Sequence, residues 1–332
     1  MILIAIGTRP EMIKVSSLLK ILPRESYKTV FTGQHTTLLF GVDFDYKLEI
    51  SDGDNRLDSV IQSCLNRGYI FDGITHVLVQ GDTSSAFGMA LTAYHRKIKV
   101  IHLEAGLRSG DFNNPYPEEM NRCLITKLAD IHLCPTTDNI INLLRENIKY
   151  ESIYVVGNTG LDGLVNMRER TTLAKKILIT LHRRENHDKI DEWFKKINEL
   201  ATEFLDYNFV FPIHPNPNVR KHREILCNVN VIEPLPYDEM INELLSCSLV
   251  ISDSGGLQEE CSFLNKKILV CRDATERPES VGNTSFLTTI ENLKDLFYEH
   301  IKNPTPMMNH CPYGDGNSAQ KILEILKNEK VI

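Results

Sequence analysis

The 332-residue sequence lacks any apolar run long enough to span a membrane, and its eight cysteines include no C-x-x-C pair. The first absence predicts a protein without membrane insertion. The second excludes common zinc and dithiol motifs, and the scattered cysteines are typical of thiols kept reduced in the cytosol. A strand pattern begins at residue 2, so we expect no signal peptide and a cytoplasmic location.

The sequence also lacks an excess of basic residues, since 37 lysines and arginines stand against 44 acidic residues and give a net charge of −7. This balance argues against a nucleic-acid-binding surface. No G-x-G-x-x-G follows the first strand pattern of either half, and no P-loop lysine motif occurs, so a nicotinamide cofactor is not supported. The Asp-Phe-Asp of residues 43–45 resembles a metal-binding D-x-D, but it stands in a turn-rich stretch where we expect no metal.

Short apolar runs alternate with helical periodicity along the whole chain. This alternation predicts an α/β protein with two doubly wound, Rossmann-like parallel sheets. We place the first domain at residues 1–168 and the second at 169–315, with the weakly patterned stretch 166–175 as a linker. The predicted strands are residues 2–6, 28–32, 76–80, 100–103, 130–134, 152–156, 176–181, 208–213, 228–232, 248–252 and 267–271. The predicted helices include residues 57–65, 118–129 and 219–227.

Polar side chains follow almost every predicted strand. The carboxyl ends of parallel strands share one edge of a sheet, and two such domains in tandem would face a central cleft, so we expect an active site there. Residues at these strand ends are Arg9, Gln34, His35, Asp82 and Glu104 in the first half, and 182–186, His214 and 253–256 in the second.

Residues 254–256, Ser-Gly-Gly, join a strand to a helix and predict an anion site, because glycine N–H groups and the helix dipole can approach a phosphate. Close helix–strand packing is the alternative role for the two glycines. Glu260 could hold a vicinal diol such as a ribose. Arginines that could bind phosphate in a bidentate manner are Arg9, Arg183, Arg184 and Arg277.

The first half contributes acids: Asp82, Glu104, Glu118 and Glu119. Neighbouring carboxylates can divide into an acid and a base, which predicts proton transfer beside the anion site. For Asp82 an alternative is the N-cap of the following helix.

Ten short motifs, taken in order, resemble those of the bacterial non-hydrolysing UDP-N-acetylglucosamine 2-epimerase family, and the resemblance covers residues 7–316. The motifs are residues 7–11 with 13–14, 32–35, 81–83, 104–108, 117–119 with 121–122, 157–159, 182–186, 214–218, 253–256 with 258–260, and 275–279. The resemblance implies a glycosyltransferase-B type fold whose last helix, about residues 316–332, packs back on the first domain. It also implies a homodimer that needs no cofactor or metal and supplies a precursor for surface polysaccharide.

The reaction implied by the resemblance is reversible epimerisation at C2 of UDP-GlcNAc, by elimination and re-addition of UDP through a 2-acetamidoglucal. Its acid/base groups would be Asp82, Glu104 and Glu118, with His214 as a further essential group. Residues implied to bind UDP or the sugar are Arg9, Lys14, Arg122, His182, Arg183, Ser254, Gly255, Gly256, Glu260 and Arg277.

Many bacterial members are activated by their own substrate, and the positions implied for that site include Gln34, His35 and Glu185. Thr37 stands where such members have a second glutamine, so we expect weakened or absent activation. A hydrolysing epimerase is the nearest alternative, although the loop at residues 7–11 differs from that of hydrolysing relatives. A UDP-diacetamido-uronic acid as substrate, a retaining glycosyltransferase and a non-catalytic UDP-sugar sensor are further alternatives.

Overall fold

The structure is a computed structural model, and it describes residues 1–34, 42–50, 53–306 and 311–332. These residues form two compact units. Unit 1 comprises Met1–Gly163 and Gly314–Ile332, and unit 2 comprises Leu164–Tyr313.

Unit 1 is built on a parallel sheet. Its described strands are β1 (Ile2–Ile6), β2 (Tyr27–Phe31), β3 (Tyr46–Lys47), β4 (His76–Gln80), β5 (Lys99–Leu103), β6 (Ile131–Cys134) and β7 (Ile153–Val155). They lie in the order β3-β2-β1-β4-β5-β6-β7. The helices that follow them are α1 (Arg9–Ile21), α2 (Arg56–Leu65), α3 (Ser84–His95), α4 (Glu118–Leu128) and α5 (Thr137–Arg145).

Unit 2 repeats this architecture. Its described strands are β8 (Lys176–Thr180), β9 (Asn208–Pro212), β10 (Asn230–Ile232), β11 (Leu249–Ser252), β12 (Ile268–Val270) and β13 (Ser285–Leu287). They are all parallel, in the order β10-β9-β8-β11-β12-β13. The helices are α6 (Ile190–Glu203), α7 (Pro217–Arg220), α8 (Tyr237–Ser246), α9 (Gly255–Phe263) and α10 (Leu293–Lys302).

Both sheets reverse their strand order at one point, between β1 and β4 in unit 1 and between β8 and β11 in unit 2. Ligands of doubly wound sheets bind beside such switch points, at the carboxyl ends of the strands. The predicted α/β class with two doubly wound parallel sheets is therefore confirmed.

The core of unit 1 follows from the two-residue period of its strands. Ile2, Ile4 and Ile6 belong to one apolar layer, whereas Leu3 and Ala5 belong to the layer on the opposite face of the sheet. The last helix, α11 (Ser318–Asn328), contacts α1 and adds its apolar side chains to the first of these layers. No described helix is long and apolar enough to cross a membrane.

Two sequence predictions differ from the structure. The helix predicted at residues 219–227 is wrong, because α7 ends at Arg220 and only a 3-10 turn, Arg223–Ile225, follows it. All five residues 220–224 are charged or titratable and none is apolar, so no buried stripe sustains a longer helix. The edge strands β3 and β13 were not predicted, because neither lies in a continuous apolar run of the kind that marks a buried strand.

Candidate active site

Glu104 follows β5 in an unusual backbone conformation, with φ at +69°. The left-handed region costs a non-glycine residue roughly 1–2 kcal/mol. The carboxylate is almost buried and accepts hydrogen bonds from Lys14 Nζ, at 2.5 Å to each oxygen, and from Gln80 Nε2. These contacts hold the carboxylate in place and offset the backbone strain. An ordered, strained acid at a strand end is a candidate for chemistry.

Asp82 follows β4 on the neighbouring strand and is bound by Arg122, whose guanidinium donates to Asp82 Oδ2. The same guanidinium lies 3.0 Å from Glu119 Oε2, so Arg122 is buried between two carboxylates. Arg122, which was expected to bind the substrate, therefore also orients Asp82. The N-cap of α3 is Thr83, so the alternative role of Asp82 as the N-cap is wrong.

The two acids that begin α4 have different surroundings. Glu119 is buried, and its Oε1 accepts the backbone N–H groups of Ser109 and Gly110 at 3.0 and 3.1 Å. Glu118 is half-buried. Adjacent helix residues point about 100° apart, so the two carboxylates face different surroundings. Glu119 closes the loop before α4, and Glu118 remains the candidate for chemistry.

Sequence reasoning missed Glu11 as an organising residue of this edge. Its carboxylate accepts the backbone N–H groups of Gly7 and Thr8 at 2.8 and 2.6 Å, and the hydroxyl of Thr83 at 2.7 Å. It therefore joins the loop carrying Arg9 to the loop carrying Asp82. Burial raises the pKa of Glu11, and the hydrogen bonds to its carboxylate oppose that shift. The available sequence signal was the Thr8-x-x-Glu11 capping box.

Of the positions proposed for substrate activation, His35 and Thr37 lie outside the described residues. The side-chain oxygen of Gln34 accepts hydrogen bonds from Ser85, at 3.0 Å from the backbone nitrogen and 2.9 Å from the hydroxyl. Gln34 is thus attached to the start of α3, beside the switch point.

In unit 2, Asp253 organises the loop after β8. It is fully buried at the end of β11 and accepts the backbone N–H groups of His182 and Arg183, both at 2.9 Å. The side-chain amide of Asn186 donates to it at 3.0 Å. This carboxylate fixes His182 and Arg183 at the switch point of the second sheet.

His182 and His214 form a stacked pair, with ring centroids 5.1 Å apart and planes 16° from parallel. His182 Nδ1 lies 3.4 Å from Asp253 Oδ1. His214 Nδ1 accepts the backbone N–H of Asn216 at 3.2 Å, which places the proton of the neutral ring on Nε2. Burial lowers the pKa of both histidines, so both rings are neutral at pH 7.

The two glycines that begin α9 are not equivalent. A Cβ added to Gly255 would lie 2.4 Å from the guanidinium of Arg277, whereas one added to Gly256 would meet only Ser254 Oγ at 3.9 Å. Ser254 caps the helix through its hydroxyl. Packing therefore favours glycine at position 255, whereas no protein atom crowds a side chain at position 256.

Arg277, which contacts this turn, belongs to a network in which arginines alternate with glutamates. Arg277 donates to Glu259 at 2.7 Å and to Glu276, and Arg272 donates to Glu276 at 2.8 Å and to Glu185 at 2.7 Å. Arg277 was expected to bind phosphate and Glu185 an activator, but the network engages both. Sequence reasoning missed Arg272, since nothing in its local sequence marks a buried cation.

Two further candidates of unit 2, Arg183 and Glu260, also have charged or polar partners. Arg183 is half-buried, and its guanidinium is 4.0 Å from Glu276. Glu260 accepts a hydrogen bond of 2.9 Å from the hydroxyl of Tyr237. Burial and the Glu260 carboxylate both raise the pKa of Tyr237, so this phenol stays a donor. Within the described ranges, no group of three or more metal-ligating side chains is arranged to hold a metal.

Comparisons with known proteins agree with these observations. A family model described as UDP-N-acetylglucosamine 2-epimerase matches residues 22–327. A Bacillus subtilis (strain 168) protein of that name is 38% identical, with 96% of this chain and 93% of that protein covered.

Two solved structures are similar over nearly the whole chain. UDP-GlcNAc 2-epimerase from Neisseria meningitidis, bound to UDP-GlcNAc, has a TM-score of 0.88 at 34% identity, covering 98% of this chain and 99% of that one. The Methanocaldococcus jannaschii enzyme, in complex with UDP-GlcNAc and UDP, has a TM-score of 0.84 at 30% identity, with the same coverage of 98% and 99%.

Proposed function

Because this chain belongs to the UDP-N-acetylglucosamine 2-epimerase family, we propose that it interconverts UDP-GlcNAc and UDP-ManNAc without hydrolysis. The observation that carries the proposal is the pair of oriented acids at neighbouring strand ends of unit 1. Asp82 is held by Arg122, and Glu104 is held by Lys14 and Gln80. Ordered carboxylates of this kind suit proton transfer to and from carbon.

The proposed reaction is an elimination followed by a re-addition. A base takes the C2 proton, the C2–H electron pair forms the C1–C2 double bond, and the C1–O bond breaks with its electrons leaving on UDP. Re-addition of UDP to C1, with a proton delivered to the opposite face of C2, gives the epimer. No net oxidation occurs, and each face of C2 needs its own proton-transfer group.

For these groups we propose Asp82, Glu104 and Glu118 of unit 1, with His214 as a further essential group. Each well-placed acid or base contributes roughly 10²–10⁴-fold to the rate. The stacked partner His182, fixed by Asp253, supports a role for the histidine pair as neutral hydrogen-bonding groups.

For UDP we propose the N-terminus of α9, where Gly255 and Gly256 can present backbone N–H groups to a diphosphate. Ser254 would contribute its hydroxyl, since its own backbone N–H donates to Ser252 Oγ at 2.9 Å. Glu260 would accept from the ribose, and Arg9, Lys14 and Arg183 would supply positive charge. Arg122 and Arg277, each between two carboxylates, act in this proposal by orienting Asp82 and the α9 turn.

We also propose a cytoplasmic homodimer that supplies a surface-polysaccharide precursor. Tyr116, Met120 and Leu124 expose 62%, 39% and 41% of their surface at four-residue spacing along α4 and the turn before it. Such an apolar stripe supports contact with a second copy. Activation by substrate is proposed to be weak or absent, and the engagement of Glu185 by Arg272 supports this.

Proton NMR of the protein with UDP-GlcNAc in D₂O, without added cofactor, tests the reaction. Deuterium at C2 together with accumulating UDP-ManNAc is expected, and initial rates should follow a hyperbolic curve. Release of free N-acetylmannosamine and UDP would identify a hydrolysing enzyme instead. No change would contradict UDP-GlcNAc as the substrate, and the same experiment with a UDP-diacetamido-uronic acid would then be decisive.

A further inference from the structure

We infer that Gln80 is a positioning residue that sets the orientation of the Glu104 carboxylate. This inference rests on the proposed acid/base role of Glu104 and adds a residue to it. Gln80 is the last residue of β4 and is 4% exposed, and its side-chain Nε2 donates to Glu104 Oε2.

The contact depends on the unusual backbone of Glu104. Gln80 is paired with Leu103 in the parallel register of β4 and β5, so these two side chains leave the same face of the sheet. In an extended strand the next residue, Glu104, would point to the opposite face. The backbone bulges instead, since the N–H groups of Glu104 and Ala105 both donate to the Leu133 carbonyl at 3.0 Å. With φ at +69°, Glu104 brings its carboxylate to Gln80.

Lys14 alone cannot fix the rotation of this carboxylate. Its ammonium lies 2.5 Å from both oxygens, so it attracts the two equally. An ammonium is also a compact charge on a flexible stem, whereas a side-chain amide is a planar, directional donor. Gln80 donates to Oε2, and this donation makes the two oxygens different.

Orientation matters because proton transfer at carbon requires one lone pair of the carboxylate to face the C2–H bond. A displacement of about 1 Å in such a group can cost on the order of a hundredfold in rate. Gln80 is itself buried among the strands and has no part in binding UDP in the proposed function. Its loss should therefore reduce turnover and leave nucleotide binding unchanged.

The test compares Gln80→Met, which keeps the length of the side chain without its donor, with Gln80→His, which keeps an N–H donor. Deuterium incorporation at C2 gives kcat, and calorimetry gives the Kd for UDP. We expect Gln80→Met to lower kcat about tenfold to a hundredfold with the Kd within about twofold of the wild type. Gln80→His should regain most of the rate. Gln62→Met, the same change at an exposed position of α2, is the matched control.

An unchanged kcat in Gln80→Met would overturn the inference. So would equal losses of kcat, UDP affinity and melting temperature, which would show a structural role only. If Gln80→Met does not fold, Gln80→Asn serves instead, because its amide is one methylene too short to reach Glu104.

A crystal structure of the variant separates this inference from the proposed function. We expect the Glu104 carboxylate to rotate away from its wild-type position, whatever the substrate is. If the wild type exchanges no C2 proton, the proposed function fails, but a rotated Glu104 still supports the positioning role. A carboxylate that stays in place overturns that role even if the wild type is active.

Discussion

The two units hold their charged side chains in opposite ways. In unit 1 the candidate acids are held by cations, since Arg122 binds Asp82 and Lys14 binds Glu104. In unit 2 the candidate cation is held by acids, since Glu259 and Glu276 both bind Arg277. In unit 1 a cation supports a candidate acid, whereas in unit 2 two acids engage the candidate cation.

This difference predicts what each unit contributes. An acid supported by a cation remains oriented and available for proton transfer, so losses in unit 1 should appear in turnover. In unit 2 two carboxylates already engage Arg277, so we expect the backbone N–H groups at the start of α9 to contribute most of the proposed phosphate binding. Losses there should appear in UDP affinity and in the stability of the unit.

The largest expected effect is a loss of turnover without a loss of UDP binding when an acid of unit 1 is replaced. Asp82→Asn keeps the shape of the side chain and removes the charge that faces Arg122, while Glu119 still pairs with that arginine. We expect kcat for C2 deuterium exchange to fall roughly 10²–10⁴-fold, with the Kd for UDP nearly unchanged.

Asp111→Asn is the matched control, because Asp111 is exposed in the same unit and its side chain only accepts a backbone N–H of its own loop. Its kcat should equal that of the wild type. An Asp82→Asn protein that retains full turnover but loses UDP affinity would reverse the roles assigned to the two units.

A smaller effect is expected from the two glycines at the start of α9. Gly255→Ala forces its Cβ against the Arg277 guanidinium, and such overpacking typically costs about 1–3 kcal/mol in the free energy of unfolding. Gly256→Ala meets no close protein atom, so its stability should match or exceed that of the wild type. Its added methyl group should still weaken UDP binding about tenfold if a phosphate approaches that backbone.

The fluorescence of the only tryptophan, Trp193, follows the unfolding of unit 2 during denaturation. It is buried in unit 2, and its indole N–H donates to Asn186, which in turn donates to Asp253. Fluorescence unfolding curves therefore measure the stability of unit 2, and calorimetry measures UDP affinity. Wild-type affinity in Gly256→Ala would remove the proposed phosphate site from the α9 turn.

The sequence was sufficient for the α/β class and for the positions of the strand ends, because apolar runs and motif residues are local signals. It could not show which side chains pair across the fold. Arg122 and Arg277 were expected to bind the substrate and UDP, and the sequence did not show that each also pairs with carboxylates, from a distant loop in one case and from a buried helix face in the other. The positive φ of Glu104 and the contact to Gln80 likewise depend on strand register, which no local pattern of these residues reveals.

The smallest expected effect concerns the buried histidines, which also differ between the units. Burial lowers the pKa of His102 in unit 1 to about 3, and Nε2 of its ring contacts the Gly81 carbonyl at 2.9 Å. In unit 2, the Asp253 carboxylate opposes the lowering of the His182 pKa by burial. Acid should therefore destabilise unit 1 through His102 more than unit 2 through His182.

The direction of this pH dependence follows from the number of protons that the folded and unfolded chains bind. An unfolded histidine has a pKa of about 6.5, so between pH 6.5 and 3 the unfolded chain binds more protons at His102 than the folded one does. The stability that His102 contributes is complete above pH 6.5 and is lost as the pH falls. His102→Gln keeps an N–H donor for Gly81 and removes this titration. The variant should lose about 1 kcal/mol less than the wild type on going from pH 7 to pH 5.5.

Hydrogen exchange of peptides from β5 measures this loss in unit 1, and Trp193 fluorescence supplies the internal reference in unit 2. The expected result is a flatter pH dependence for the β5 peptides of His102→Gln, with unchanged fluorescence curves. The same acid dependence of the β5 peptides in both proteins would show that His102 does not control the acid response of unit 1. If only the Trp193 fluorescence curves depended on acid, the acid-sensitive histidine would be in unit 2, at His182 beside Asp253.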